Sequence, residues 1–275
     1  MLRTRIASAI VMLLVTAAAL WGLGPRGWAI ACAAILTIGA WEWARLAGLS
    51  GRACIAMGAV FAAAYILVAV WSGAVDGRVM SERALPIYAI GAVFWIIAAP
   101  IWLAVNPRKP PAYVVIACAA LTLIPAYLGI VELRSFGIGA FVMVCAIVWI
   151  ADIAAYFFGR TLGRNKLAPS ISPGKTWEGA LGGVATVALY AACIARPFNE
   201  QMGLALPLLV MVLAAMVLAA LSIVGDLYES ALKRQAGLKD SGRLLPGHGG
   251  VLDRLDAMIA VLPIAMLGAL AGADR

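Results

Sequence analysis

The sequence is a succession of apolar runs, each close to the length that crosses a lipid bilayer, and this feature leaves few folds open. A helix needs about 20 apolar residues to cross a hydrocarbon layer about 30 Å thick with its backbone hydrogen bonds closed internally. Nine runs, separated by charge or by Pro and Gly, meet the requirement: Ile6 to Leu23, Trp28 to Trp41, Ala53 to Val75, Ala84 to Val105, Tyr113 to Val131, Gly137 to Phe158, Gly179 to Ala195, Leu204 to Gly225 and Leu255 to Ala271. The second and last are short for the purpose. With 64% hydrophobic and 12% charged residues, the 275-residue chain has more apolar surface than one soluble core can bury. The expected fold is all-α: a polytopic integral membrane protein of about nine transmembrane helices.

The first run follows MLRTR and resembles a signal peptide, but further spans follow it and no small-residue cleavage site closes it, so it reads as a retained helix. Five cysteines stand singly in or beside the spans, without a CxxC pair, and read as packing residues. The net charge of +8 does not indicate nucleic acid, because the basic residues lie in loops between spans. Lys and Arg favour cytoplasmic loops. With the N-terminus inside, 15 of the 21 basic residues are cytoplasmic, and Arg26, Arg78, Arg83, Arg134, Arg196 and Arg275 are outside. The polar loops 159–179 and 226–254 then share the cytoplasmic face. Residues 1–136, with short loops and few polar residues, read as a transmembrane scaffold, and 137–275 as a second transmembrane region that carries both polar loops. Pro86, Pro100 and Pro125 are expected to cap or bend helices rather than break them. Glu42, between Trp41 and Trp43, reads as interfacial within an aromatic belt.

Polar chemistry concentrates from Asp226 to Asp256. If the eighth helix runs past the membrane, Asp226, Ser230 and Lys233 share one face at i, i+4 and i+7. Beyond Gly237, Lys239, Asp240 and Pro246-Gly-His-Gly-Gly250 form a loop whose backbone amides can approach an anion closely. Asp253 and Asp256, at i and i+3, open the last helix on one side. Carboxylates and cations around a Gly-rich loop suit a Mg-nucleotide, and equally suit a solvated loop with capping acids. Asp226 at the end of an apolar run and Asp152 inside one shift the balance. An ionisable group at membrane depth costs about 2.5–3.5 kcal/mol and marks a polar cavity. A plain alternative for Asp152 is pairing with Arg160.

The loop 159–179 carries Arg160, Arg164, Lys166 and Lys175 against one acid, Glu178, and seeks a polyanion. Ser172-Pro173 reads as an N-cap and first helical position, which would aim the amides near Gly174 and Lys175 at an anion. Gly174-Lys175-Thr176 does not read as a P-loop, since position 169 is Pro and no strand is expected before it. His248 has no partners for a zinc site, and Ser230 has no adjacent base for nucleophilic catalysis. His248 between glycines reads as a phosphate or substrate contact.

Ser230-Ala-Leu-Lys-Arg, Lys239-Asp240 and Leu245-Pro-Gly-His-Gly-Gly-Val-Leu-Asp-Arg-Leu-Asp256 resemble the signature of the phosphatidate cytidylyltransferases, or CDP-diacylglycerol synthases. Ala155-Tyr-Phe, Gly159-Arg160, Lys166-Leu-Ala-Pro and Ser172-Pro-Gly-Lys-Thr-Trp-Glu-Gly179 resemble that family independently; Ile153 departs from its small or hydroxyl residue. The resemblance implies transfer of CMP from CTP to phosphatidate with release of pyrophosphate. Its cofactor would be Mg²⁺, with a second cation and a homodimer as further candidates. On this reading Asp226, Asp253 and Asp256 are assigned to metal. Lys175, Lys233, Arg234 and Lys239 would hold phosphates, and Ser230, Asp240 and His248 would orient substrate. Asp152, Arg160, Lys166, Ser172, Gly249, Gly250 and Arg254 complete the substrate contacts. Two alternatives stay open: a CTP-dependent enzyme for another lipid phosphate or alcohol, and a secondary transporter of an organic anion. Gathering of the polar residues at one face favours surface chemistry over passage.

Overall fold

A computed structural model describes residues 2–78 and 82–273, with side chains described for residues 6–78 and 82–272. Asp274 and Arg275 lie outside the described residues, as do the side chains of Arg3 and Arg5. The helices are α1 (Leu2–Gly22), α2 (Pro25–Leu46), α3 (Arg52–Ser72), α4 (Leu85–Val93), α5 (Ala99–Val105), α6 (Ala112–Ser135), α7 (Ile138–Thr161), α8 (Trp177–Met202), α9 (Leu208–Gln235) and α10 (Leu252–Ala273). Among the described residues, eight helices have 18 or more residues and are apolar enough to cross a membrane, and Ile6–Gly22 forms a shorter apolar one. The protein is an all-α polytopic membrane protein. Its exposed apolar side chains, such as Leu13, Leu67, Val105 and Leu209, are those such a protein turns toward lipid.

Two spans that read as short are full helices of 22 residues, α2 and α10. Both were shortened in the sequence by charges that the fold accommodates. Glu42 is buried within α2, and Arg45 stacks over the Trp41 ring at 5.3 Å, so the helix continues past both. Asp253 lies in the first turn of α10, where an anion favours the helix dipole. The span Glu82–Val105 contains a π-turn at Phe94–Ala98 between α4 and α5. Pro86 lies in the first turn of α4, as a cap should. Pro100 follows the π-turn, which lets the chain pass a residue without N–H whose ring would strike the carbonyl one turn back. Pro125 lies inside an unbroken α6.

The loop between α7 and α8 is an antiparallel hairpin of β1 (Lys166–Ala168) and β2 (Ser172–Thr176), pairing Lys166 with Thr176 and Ala168 with Ser172. This corrects the expected helix start at Ser172. A two-stranded ribbon is all edge and tolerates Pro173. The N-cap is Thr176, whose hydroxyl accepts from Gly179 N at 3.2 Å. Glu178, in the first turn of α8, accepts from Asn165 N at 3.2 Å and Asn165 Nδ2 at 2.7 Å, folding the loop back on the helix.

α10 is the central helix, packed against α9, α6 and α4; α8 lies between α7 and α9, and α2 against α3 and α6. Close approach depends on small residues, as is usual between helices in lipid. A Cβ added at Gly183 would lie 2.9 Å from Ala151 O on α7, and one at Gly225 on α9 would lie 2.7 Å from Asp256 O on α10. Gly268 on α10 has nothing within 4 Å of an added Cβ. One substitution should therefore act with opposite signs. Gly183→Ala should cost about 1–3 kcal/mol by overpacking, and Gly268→Ala should gain about 0.5–1 kcal/mol of helix propensity. Thermal unfolding in one detergent reads both; shifts in the same direction would contradict the α7–α8 contact.

Candidate active site

α9 carries the polar face of the site and an aromatic anchor on its other side. Asp226, Glu229, Ser230 and Lys233 fall within about 100° of arc, as their spacing requires. Tyr228, about 200° round the helix from Asp226, is buried against Trp43, Phe94, Trp95 and Trp102, with ring centroids 5.4–6.4 Å apart. The π-turn supplies Phe94 and Trp95. This cage fixes the rotation of α9 and so the direction of its carboxylates.

On the polar face Lys175 of β2 forms an ion pair with Asp226, Nζ to Oδ2 2.6 Å, and Ser230 Oγ donates to Asp226 Oδ1 at 3.3 Å. Both loops singled out by sequence thus meet at Asp226. A cavity of about 520 Å³ opens there, lined among others by Asp152, Tyr156, Arg160, Ser172, Lys175 and Asp226. Asp152 does not take Arg160 as its partner: Arg160 Nη1 donates to the Tyr156 hydroxyl at 2.7 Å, while Asp152 feels the charges of Asp226 and Lys175. Asp256 on α10 is within electrostatic reach of Asp226, Lys175 and Lys233. The Gly225 contact brings its backbone against α9.

Deeper in the protein Lys233 Nζ bridges Glu229 Oε2 at 2.5 Å and Asp253 Oδ1 at 2.6 Å, all three side chains being at most 12% exposed. The other Asp253 oxygen, Oδ2, accepts from Gly250 N at 2.8 Å, Ser241 N at 3.0 Å and Ser241 Oγ at 3.1 Å. The loop therefore does aim amides at an anion, but the anion is the chain's own Asp253, held by Gly250 N just before the α10 start and by Ser241 from the far end of the loop. Gly249 has φ +85°, and an added Cβ would sit 2.6 Å from Asp253 Oδ2, so the loop closes this tightly only with glycine. Asp256 Oδ1 accepts from Ala257 N at 2.8 Å. Among the described residues no three His, Cys, Asp or Glu side chains converge as a metal-sized cluster. Asp226, Asp253 and Asp256 thus do not form one three-ligand cage.

The remaining expected residues are dispersed. His248 Nδ1 lies 2.8 Å from Ser8 Oγ of α1, which also donates to Pro246 O at 2.9 Å. Arg234 reaches the Ile171 carbonyl at 3.5 Å. Lys239 and Asp240 line a separate cavity of about 640 Å³ with Trp41, Arg45 and Arg243. Lys166 on β1 and Arg254 on α10 are exposed and line neither cavity. Sequence reasoning missed Glu229, Ser241 and above all Glu42. Glu42 is not interfacial: it is fully buried, as is neighbouring Trp43, whose Nε1 donates to Val115 O at 2.9 Å. A carboxylate inside an apolar run was the available signal, the same one that marked Asp152.

The sequence pattern described as the cytidylyltransferase family matches residues 3–270. The phosphatidate cytidylyltransferase of Pseudomonas aeruginosa is 36% identical over 273 residues, 96% of this chain and 95% of that protein. That of Haemophilus influenzae is 33% identical over 278 residues, covering 96% of each chain. That of Bacillus subtilis is 41% identical over 151 residues, 52% of this chain and 55% of that protein. The match runs through the scaffold helices as well as the polar loops, and the chain belongs to the cytidylyltransferase family.

Proposed function

We propose that this chain transfers CMP from CTP to phosphatidate, giving CDP-diacylglycerol and pyrophosphate, at the cytoplasmic face of a bacterial inner membrane. One observation carries the reading: the Lys175–Asp226 pair joins the two polar loops at the end of membrane helices, in a cavity whose walls reach both polar and apolar surface. The names of the full-length relatives supply the reaction. The positive-inside bias of the loops supports the cytoplasmic face.

In the reaction an oxygen of the phosphatidate phosphate attacks the α-phosphorus of CTP, and the bond to the β-phosphate breaks with its electrons leaving on pyrophosphate. That oxygen is already anionic near neutral pH, so the site must position two anions and neutralise developing charge rather than supply a strong base. Lys175 and Arg160 face the cavity and meet phosphate oxygens; Ser230 holds Asp226 in register. Lys233 balances Glu229 and Asp253 behind them. Asp226 and Asp256, hard oxygen donors on adjacent helices, fit Mg²⁺, which takes one or two carboxylates together with substrate phosphate oxygens. Bound there, Mg²⁺ supplies charge neutralisation at the triphosphate. Asp253, with both oxygens engaged by protein donors, shapes the loop instead.

Purified protein in detergent with phosphatidate, CTP and Mg²⁺ should form CDP-diacylglycerol and pyrophosphate, and chelation should stop it. Folded protein that makes no product, or that prefers an isoprenoid phosphate in a lipid panel, would overturn the assignment. Asp226→Asn should lower turnover by about 100-fold or more, in the range seen when a charge-stabilising group is lost. Its side chain is 31% exposed and pairs with Lys175, so thermal stability should change little. Lys233→Met leaves two buried carboxylates facing one another and should destabilise by about 3–5 kcal/mol, with Lys233→Met/Glu229→Gln recovering part of the loss in the same melting assay.

A further inference from the structure

Glu42 is the one acidic residue of α2, and its place in the fold is unlike that of a scaffold residue. Its carboxylate is fully buried and accepts three hydrogen bonds, all from the loop and helix start around 241–252. Oε1 accepts from Val251 N at 3.1 Å; Oε2 accepts from Leu252 N at 2.8 Å and Ser241 Oγ at 3.0 Å. Leu252 opens α10, so Glu42 satisfies amides that a helix start leaves without partners, and its charge suits the dipole there. One turn earlier on the same face, Gly39 lies against the buried Leu252 side chain. Gly242 and Gly250 border the carboxylate so closely that an added Cβ at either would collide with Glu42.

Ser241 links this buried acid to the site. Its one hydroxyl hydrogen is shared between two carboxylates, 3.0 Å from Glu42 Oε2 and 3.1 Å from Asp253 Oδ2. From Asp253 the chain of contacts continues to Lys233 and Glu229 on the polar face of α9. We propose that Glu42 is a positioning residue of the active site: acting from α2 through Ser241 and the α10 amides, it sets the direction of Asp253 and thereby of Lys233. A capping acid alone needs only the two amides; the third bond, to a side chain shared with Asp253, is what a positioning role requires. A carboxylate is demanded because every partner is a donor. In Glu42→Gln, one donor must face an amide NH₂.

This proposal rests on the cytidylyltransferase reaction assigned above, and activity of the wild type in the same assay keeps the two apart. Ser241→Ala and Glu42→Gln should each lower kcat about 10–100-fold, the usual effect of removing a group that orients a functional side chain. KM for CTP and the melting temperature of Ser241→Ala should stay near wild type. The double variant should be no slower than the slower single variant, because both changes cut one path. An unchanged kcat in Ser241→Ala, a loss confined to KM, a loss proportional to lost folded protein, or additive effects in the double variant would each overturn the proposal. If Glu42→Gln does not fold, Ser241→Ala decides alone.

Discussion

Lys233 is the charge on which the site depends. Two acids, Glu229 one turn back on α9 and Asp253 on α10, converge on its ammonium group in surroundings where an unpaired ion is costly. The bridge ties α9 to α10 and fixes the separation of the two helices that carry Asp226 and Asp256. The same junction has no room for side chains, since Gly225 lies against the Asp256 backbone. Close packing and charge pairing thus impose the same geometry from two directions. Neither would suffice: glycine contact sets distance but not the direction of the carboxylates, and an ion pair sets direction only if the helices are held close.

The apolar half of the chain takes part in this. Trp43 of α2, Phe94 and Trp95 of the π-turn and Trp102 of α5 enclose Tyr228, turning the opposite face of α9 toward the cavity. α2 also reaches the α10 start through Glu42. Even α1 touches the Gly-rich loop, by Ser8 on His248 and the Pro246 carbonyl. The division into scaffold and catalytic region describes composition well, but the fold runs its bracing contacts across that boundary.

What was legible in the sequence was what is local. Apolar run length gave the helices, and helical spacing placed Asp226, Ser230 and Lys233 on one face, because both follow from a period of about 3.6 residues. Asp152 and Lys175 could be named as site residues since a charge in an apolar setting, or in a Gly-Pro loop, needs a reason. Glu42 met the first criterion equally well and was misread, because flanking tryptophans offered a familiar interfacial explanation and its partners lie about 200 residues away. The hairpin at Lys166–Thr176 was hidden by ambiguity at Ser172-Pro173, a pair that suits a helix start or an edge strand; pairing with Ala168 decided it. Asp253 was assigned to metal from the resemblance and its pairing with Asp256 at i, i+3; that the neighbouring glycines make room for its own carboxylate follows from the loop's fold, which no local pattern gives.

The charge balance at the site bears on how a polyanion could enter it. Asp152, Asp226, Glu229, Asp253 and Asp256 gather around Lys175, Lys233 and Arg160, so carboxylates outnumber cations. Lys233 is committed to Glu229 and Asp253, and Lys175 is held by Asp226. A triphosphate arriving without a counter-ion would meet these carboxylates in a partly desolvated cavity, where Coulomb repulsion is poorly screened. A divalent cation held at Asp226 would offset that repulsion, and Lys175 would then be available to phosphate. The Lys175–Asp226 pair is more exposed than the enclosed Lys233 bridge behind it. The two ion pairs differ in burial because of their surroundings, one on a hairpin strand beside the cavity and one between packed helices.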